Sequence, residues 1–327
     1  MTVFFRKVAG LLGVLLALAA CGGTATTTSH TPDVMPSFAP LSLKSGERLQ
    51  VVATSNLVAD VVQTLGGAEI HLTALLPIGA DPHGYSPTPQ DLRAVAGADV
   101  IFVNGLGLES FLDEMLTNAG GNPVIVPVSV GINPLAMTDT GDDDHADEAD
   151  HGDTDPHVWF SVPNVITWTH SIEAALSGLD LAHAADYASR ATAYRAQLTG
   201  LDQELRQMVA QIPPNQRKLV TDHRAFAYLA TEYGFDQTGA VIDSFSTLSQ
   251  SSAQSLVALQ EQIKAAGAKA IFVGSTVNPA LADQLAKDLG ISVVPVFTGS
   301  LSPADGPAAT YIDFMRYDMG AIADALK

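Results

Sequence analysis

Asp99-Val100-Ile101-Phe102-Val103 sets four apolar residues in a row behind one carboxylate. A strand with one wet face alternates apolar and polar side chains. An uninterrupted run of branched and aromatic residues is dry on both faces, the condition of a parallel strand covered by helices above and below. Ile271-Phe272-Val273 repeats the pattern in the second half. Outward from the first run, strands are expected at 49–53, 70–76 and 123–128, separated by helices at 57–65, 89–96 and 108–118. Around the second run (268–273), strands at 217–221, running on to His223, at 238–242 and at 292–297 alternate with helices at 225–233, 252–266, 279–289 and 309–326. The fold class is α/β, with two similar parallel-rich lobes at 47–162 and 213–327, each expected to have its own core.

The lobes are joined by 163–212, which reads as helical. Pro163 suits a first helical turn, and a break is expected near 178–181. Tyr187, Ala191, Tyr194, Leu198, Leu201, Leu205 and Met208 recur at three- and four-residue spacing, an apolar stripe on one helix face. Pro213-Pro214 stops it. A helix over 182–212 would run about 45 Å at 1.5 Å per residue, a stiff connection between lobes.

Residues 1–20 read as a signal peptide: Arg6 and Lys7 precede an apolar run too short to span a bilayer. The run ends at Leu18-Ala19-Ala20-Cys21, which resembles a bacterial lipobox and implies a diacylglyceryl group on Cys21 and attachment to the cell membrane from outside. Cys21 is the chain's only cysteine, so disulfides and thiolate ligands are excluded elsewhere. Residues 21–46, rich in Thr, Ser, Pro and Gly, read as a flexible tether. The formal charge of -19 argues against a nucleic-acid partner and is compatible with a cation ligand.

Asp81-Pro82-His83, Asp155-Pro156-His157 and Thr221-Asp222-His223 place three histidines in similar settings. They lie too far apart for a zinc knuckle, so any meeting brings together three remote loops. Imidazole suits zinc, copper, iron and nickel. The stretch 139–154 carries His145 and His151 among acidic residues without a basic one, and reads as an accessory metal loop.

From residue 48 onward the chain resembles the solute-binding lipoproteins of bacterial ABC transporters for zinc and manganese. The resemblance is carried by Gly79-Ala80-Asp81-Pro82-His83-Gly84-Tyr85-Ser86-Pro87-Thr88-Pro89, by Asn104-Gly105-Leu106 with Glu109, and by Asp155-Pro156-His157-Val158-Trp159. It continues through Thr221-Asp222-His223-Arg224-Ala225-Phe226-Ala227-Tyr228, Tyr233-Gly234 and Asp305-Gly306-Pro307-Ala308-Ala309-Thr310-Tyr311. It implies two α/β lobes joined by one long helix with the metal in the cleft, and His83, His157 and His223 as ligands. It also implies a partner ABC permease with its ATPase, and a monomer. A histidine at 223, where manganese members commonly carry a carboxylate, favours Zn(II) as the transported ligand. Many relatives supply a fourth ligand, an aspartate, where Gly299 stands, and a further family glutamate aligns with Gln250. The fourth position is therefore left to water, to Asp305 as the best side-chain candidate, to Asp243, or to a loop histidine. Manganese is the alternative cargo. A zinc hydrolase is the competing class, but no His-Glu-x-x-His helix and no glutamate beside a ligand supports it, and no catalytic residue is assigned. An adhesion lipoprotein stapled by metal is the third reading.

Overall fold

The computed structural model describes residues 34–136 and 154–327. Cys21, His145 and His151, the segment 1–20 read as a signal peptide and most of the acidic loop lie outside the described residues.

Among the described residues are two four-stranded sheets, parallel throughout. The first comprises β1 (Leu49–Ala53), β2 (Ile70–Ala74), β3 (Val100–Val103) and β4 (Val124–Pro127), ordered β2-β1-β3-β4. Helices α1 (Asn56–Gly66), α2 (Pro89–Ala96) and α3 (Leu112–Ala119) make the crossovers. Two long helices follow, α4 (Val162–Leu179) and α5 (Ala184–Ala210). The second sheet holds β5 (Lys218–His223), β6 (Asp236–Ile242), β7 (Ala270–Gly274) and β8 (Ser292–Val296), ordered β6-β5-β7-β8, with α6 (Ala227–Tyr233), α7 (Ala253–Ala266), α8 (Ala280–Leu289) and the closing α9 (Tyr311–Leu326).

Local chemistry explains the helix starts. Ser55 caps α1 by accepting from the Val58 amide. Thr88 and Asp91 form a capping box, with Pro89 in the first turn of α2. The third helix starts later than its apolar pattern. Gly105, Leu106 and Gly107 all take positive φ, and Leu106 in particular is held out of helical conformation by the turn. Glu109 fastens that turn by accepting from the Asn104 amide at 2.6 Å and the Gly105 amide at 3.0 Å.

The opening run of apolar residues divides between two layers. Val100 and Phe102 face inward; Ile101 and Val103 pack outward with Val95, Leu112 and Met115. In β7, Ala270 and Phe272 face inward, and Ile271 and Val273 pack under α7 and α8 with Leu259 and Leu285. The expectation of a separate core in each lobe holds for the outer layers and is corrected for the inner one. One continuous core runs from β1 and β3 through α1, α4, α5 and α9 to β5 and β7, because α5 and α9 bury apolar faces against both halves. Asp180 breaks the connecting segment, taking Tyr187 Oη at 2.9 Å and His183 Nδ1 at 2.7 Å. The buried stripe of α5 is the expected one except at its end, where Val209 is buried and Met208 only partly so. At 1.5 Å per residue the 27-residue α5 is about 40 Å long.

The tether reading needs a correction over its described part. Met35, Phe38 and Leu43 pack against the core, and the Leu41 amide donates to the Leu179 carbonyl at 2.8 Å. These apolar side chains are spaced without periodicity, which hides them from a pattern search, but each finds apolar surface to cover.

Candidate metal centre

The site forms at the C-terminal ends of the strands, where open α/β sheets present ligands. His83 lies in the loop between β2 and α2, His157 in the segment that follows β4, and His223 at the last position of β5. The three side chains converge: one nitrogen from each lies within 4.8 Å of the others, and the Nε2 atoms of His83 and His157 are 3.2 Å apart. Two nitrogens bound to one tetrahedral zinc at 2.0–2.1 Å stand roughly 3.3 Å apart. His157 and His223 are buried and His83 is half-buried.

Each histidine is accompanied by an aspartate one or two positions before it in sequence. His157 Nδ1 lies 2.7 Å from Asp155 Oδ1, and His223 Nδ1 lies 2.8 Å from Asp222 Oδ1. A neutral imidazole donating Nδ1–H to a carboxylate turns its Nε2 lone pair outward, and the carboxylate makes that nitrogen a better donor to a cation. Asp81 Oδ1 accepts the His83 backbone amide at 3.0 Å. Asp222 is fixed by the Gly274 amide, which donates to Oδ2 at 2.6 Å. Burial pushes the Asp155 carboxyl up to about 7, against the opposing pull of the His157 amide and His223. Burial, helped by the neighbouring His223, holds His157 well below its usual value. Both shifts reflect the cost of charge in a dry site. Asp155 Oδ2 is buried without a hydrogen-bond partner, an uncompensated acceptor behind the ring that a nearby cation would offset.

The space between the histidines is about 180 Å³ even counting what opens to solvent, below the roughly 300–1,000 Å³ of organic-ligand pockets. Asp81, Pro82, Thr247, Thr276, Thr298 and Gly299 complete its wall. A Cβ at Gly299 would come within 2.6 Å of Pro82 Cδ.

Asp305 is not brought to this centre. The turn it tips is closed on itself, by Ser302 N–H to the Ala308 carbonyl at 2.9 Å and Ala308 N–H to Ser302 Oγ at 3.0 Å. Asp305 is left exposed, outside the residues lining the site. Asp243 is ion-paired with Arg224 away from the site lining, and Gln250 is exposed.

Residues without a role in the sequence reading turn out to support the histidine loops. Asn104 Nδ2 donates to the Pro156 carbonyl at 3.0 Å, one residue before His157. Glu109, its pKa raised by burial, holds the Asn104 turn and accepts from Thr54 Oγ1 at 2.8 Å. Tyr228 on α6 donates to the Asp155 carbonyl at 2.9 Å, and Trp159 Nε1 donates to the Thr298 carbonyl at 2.9 Å. The aspartate before each histidine was a signal available in the sequence; Thr247, Thr276 and Thr298 had none.

Twin parallel lobes on a stiff helix, with an ion-sized cleft site lined by imidazoles, define a metal-type solute-binding protein. The profile of the family described as "zinc-uptake complex component A periplasmic" matches residues 51–325, and the chain belongs to that family. It is 30% identical over 318 residues, 97% of each chain, to the manganese-binding lipoprotein MntA of Halalkalibacterium halodurans. It is 29% identical over 331 residues, 98% of this chain and 99% of the relative, to an iron ABC transporter substrate-binding lipoprotein, MtsA, of Streptococcus pyogenes. Among solved structures, the periplasmic zinc binding protein TroA of Treponema pallidum aligns at TM-score 0.76 and 28% identity, over 85% of this chain and 99% of that one. A manganese-bound periplasmic metal binding protein from Candidatus Liberibacter asiaticus aligns at TM-score 0.74 and 28% identity, over 86% of this chain and 100% of that one. The family is one of solute-binding receptors of ABC transporters, and no catalytic family is indicated. Among the described residues, no helix is long and apolar enough to cross a membrane.

Proposed function

We propose that this chain is an extracytoplasmic zinc receptor that takes Zn(II) through His83, His157 and His223 and passes it to the permease and ATPase of an ABC importer. The observation that carries this reading is the donor set: three converging imidazole nitrogens with no carboxylate among them. Nitrogen donors suit zinc, whereas manganese is better served by carboxylate and water. With Asp305 exposed on its own turn, water completes the tetrahedron. Lipidated Cys21 holds the receptor, a monomer, at the outer face of the cell membrane. The 139–154 loop, with His145 and His151, collects metal and hands it over. The strands of chain that bracket it are pinned beside the site, by the Ala136–Thr154 bridge and by Asp155 N–H to the Leu135 carbonyl at 2.9 Å. Manganese is the second reading, favoured by the name of the MntA relative.

The mature chain is expected to bind one zinc per molecule, and His157→Ala and His223→Ala each to weaken binding by about a hundredfold or more. Chelator competition with zinc and manganese measures both points. Manganese bound more tightly than zinc would transfer the proposal to the second reading, and unchanged affinity in both variants would remove the site.

A further inference from the structure

The three histidines are not held alike. The carboxylates behind His157 and His223 belong to their own segments and are buried. His83 is half-buried, and the two residues before it are gripped by the opposite lobe. Asp81 uses both oxygens: Oδ1 accepts the His83 amide at 3.0 Å, and Oδ2 accepts the Thr247 hydroxyl at 2.5 Å. Thr247 belongs to the loop between β6 and α7, so this hydrogen bond closes the cleft between chain positions 166 apart. Pro82 is buried against Gly299, whose missing side chain leaves room for the ring: a Cβ there would meet Pro82 Cδ at 2.6 Å and Cγ at 2.9 Å. Where many relatives are expected to carry a ligand aspartate, this chain uses the space to seat the His83 loop.

We propose that Thr247, acting through Asp81, is the positioning residue that latches His83 over the bound cation and sets the rate of its release. The proposal rests on the zinc-receptor reading. A hydrogen bond to a carboxylate is among the stronger ones available, and it fixes the loop that carries the most accessible ligand. Losing it loosens the loop that carries His83. His157 and His223 keep their own carboxylates, so the ion still binds at the same place. The effect therefore falls on dissociation, the rate in which most affinity differences between related complexes reside.

The test follows zinc leaving the loaded full-length mature chain into a chromogenic chelator by stopped flow. Thr247→Val, close in volume but without the hydroxyl, should release zinc about tenfold faster with an unchanged stoichiometry of one and a nearly unchanged association rate. Thr247→Ser should restore the slow rate, which a merely packing role would not do. Gly299→Ala, pushing Pro82 from the other side, should also accelerate release. Thr247→Val releasing at the wild-type rate, or Thr247→Ser as fast as Thr247→Val, overturns the latch and leaves the receptor standing. Gly299→Ala at the wild-type rate removes Pro82 from it. A wild-type chain that holds no zinc, or His157→Ala that holds it equally well, overturns the receptor reading and the latch with it.

Discussion

The two lobes share a strand order and share little of the site. In both, the first strand is central, the second lies at one edge, and an inward-facing phenylalanine, Phe102 or Phe272, marks the third. Yet the central strand β5 runs on to put His223 at its tip, whereas β1 stops at Ala53 and gives way to Ser55, a helix cap. The N-terminal lobe donates two histidines, His83 and His157, both from segments beyond its strands. Repetition is confined to what hydrophobic burial demands. The histidines sit where the chain leaves the sheet, and there the halves are free to differ.

The sharpest way to break the comparison is in the core. If Phe102 and Phe272 are equivalent supports of one shared core, Phe102→Ala and Phe272→Ala should each cost about 3–5 kcal/mol. Both should lower the midpoint of a single urea transition. Two separate transitions, each moved by one variant only, would mean that the lobes are independent after all.

A second test addresses how each lobe's first helix reaches across. On α6, Tyr228 uses a neutral hydroxyl to hold the Asp155 carbonyl. On α1, Asp60 uses a carboxylate, accepting the Tyr311 amide at the start of α9 at 2.9 Å. Burial raises Asp60 to about 6, against the lowering effect of that amide. The native state therefore binds a proton more tightly than the unfolded chain. The Asp60 contribution to stability is present below its unfolded pKa and is lost as pH rises through about 6. A displacement of that size is worth roughly 3 kcal/mol. Asp60→Asn keeps an acceptor and removes the ionisation. The stability of the variant relative to wild type should rise by that order between pH 4 and pH 7. Denaturant titrations giving the same difference at both pH values would show that Asp60 ionises without cost.

The smallest effect expected is at the site itself. The carboxylate of Asp222 has no counterpart on β1. Asp222→Asn should weaken zinc binding by about 10–100-fold while leaving the fold intact, by competition titration against circular dichroism. If the variant binds as wild type, the difference between the two central strands has no functional content.

Much of the scaffold was legible because uninterrupted runs such as Val100 to Val103 can only be buried on both faces. What stayed hidden was the division of those runs. Phe102 and Ile101 serve different layers, and when both neighbours are apolar no polar alternation shows which side faces which layer. The three histidine motifs could be singled out, and the fold brings their rings together. Asp305 misled because closeness in sequence to Gly299 says nothing of direction: the 302–308 turn folds on itself and points its tip to water. Thr247 could not have been found from sequence, since its role depends on a partner 166 positions away and a lone threonine in a serine-rich loop carries no pattern.

The continuous core also bears on how the protein is made. A lobe with its own core could fold as soon as it left the ribosome. Here the inner face of the first sheet belongs to a core that includes Tyr311, Phe314 and Met319, residues of the final helix. That apolar layer is incomplete until α9 docks. The first lobe's inner face is thereby closed by contacts of high sequence separation, which weigh on the rate of folding more than on stability.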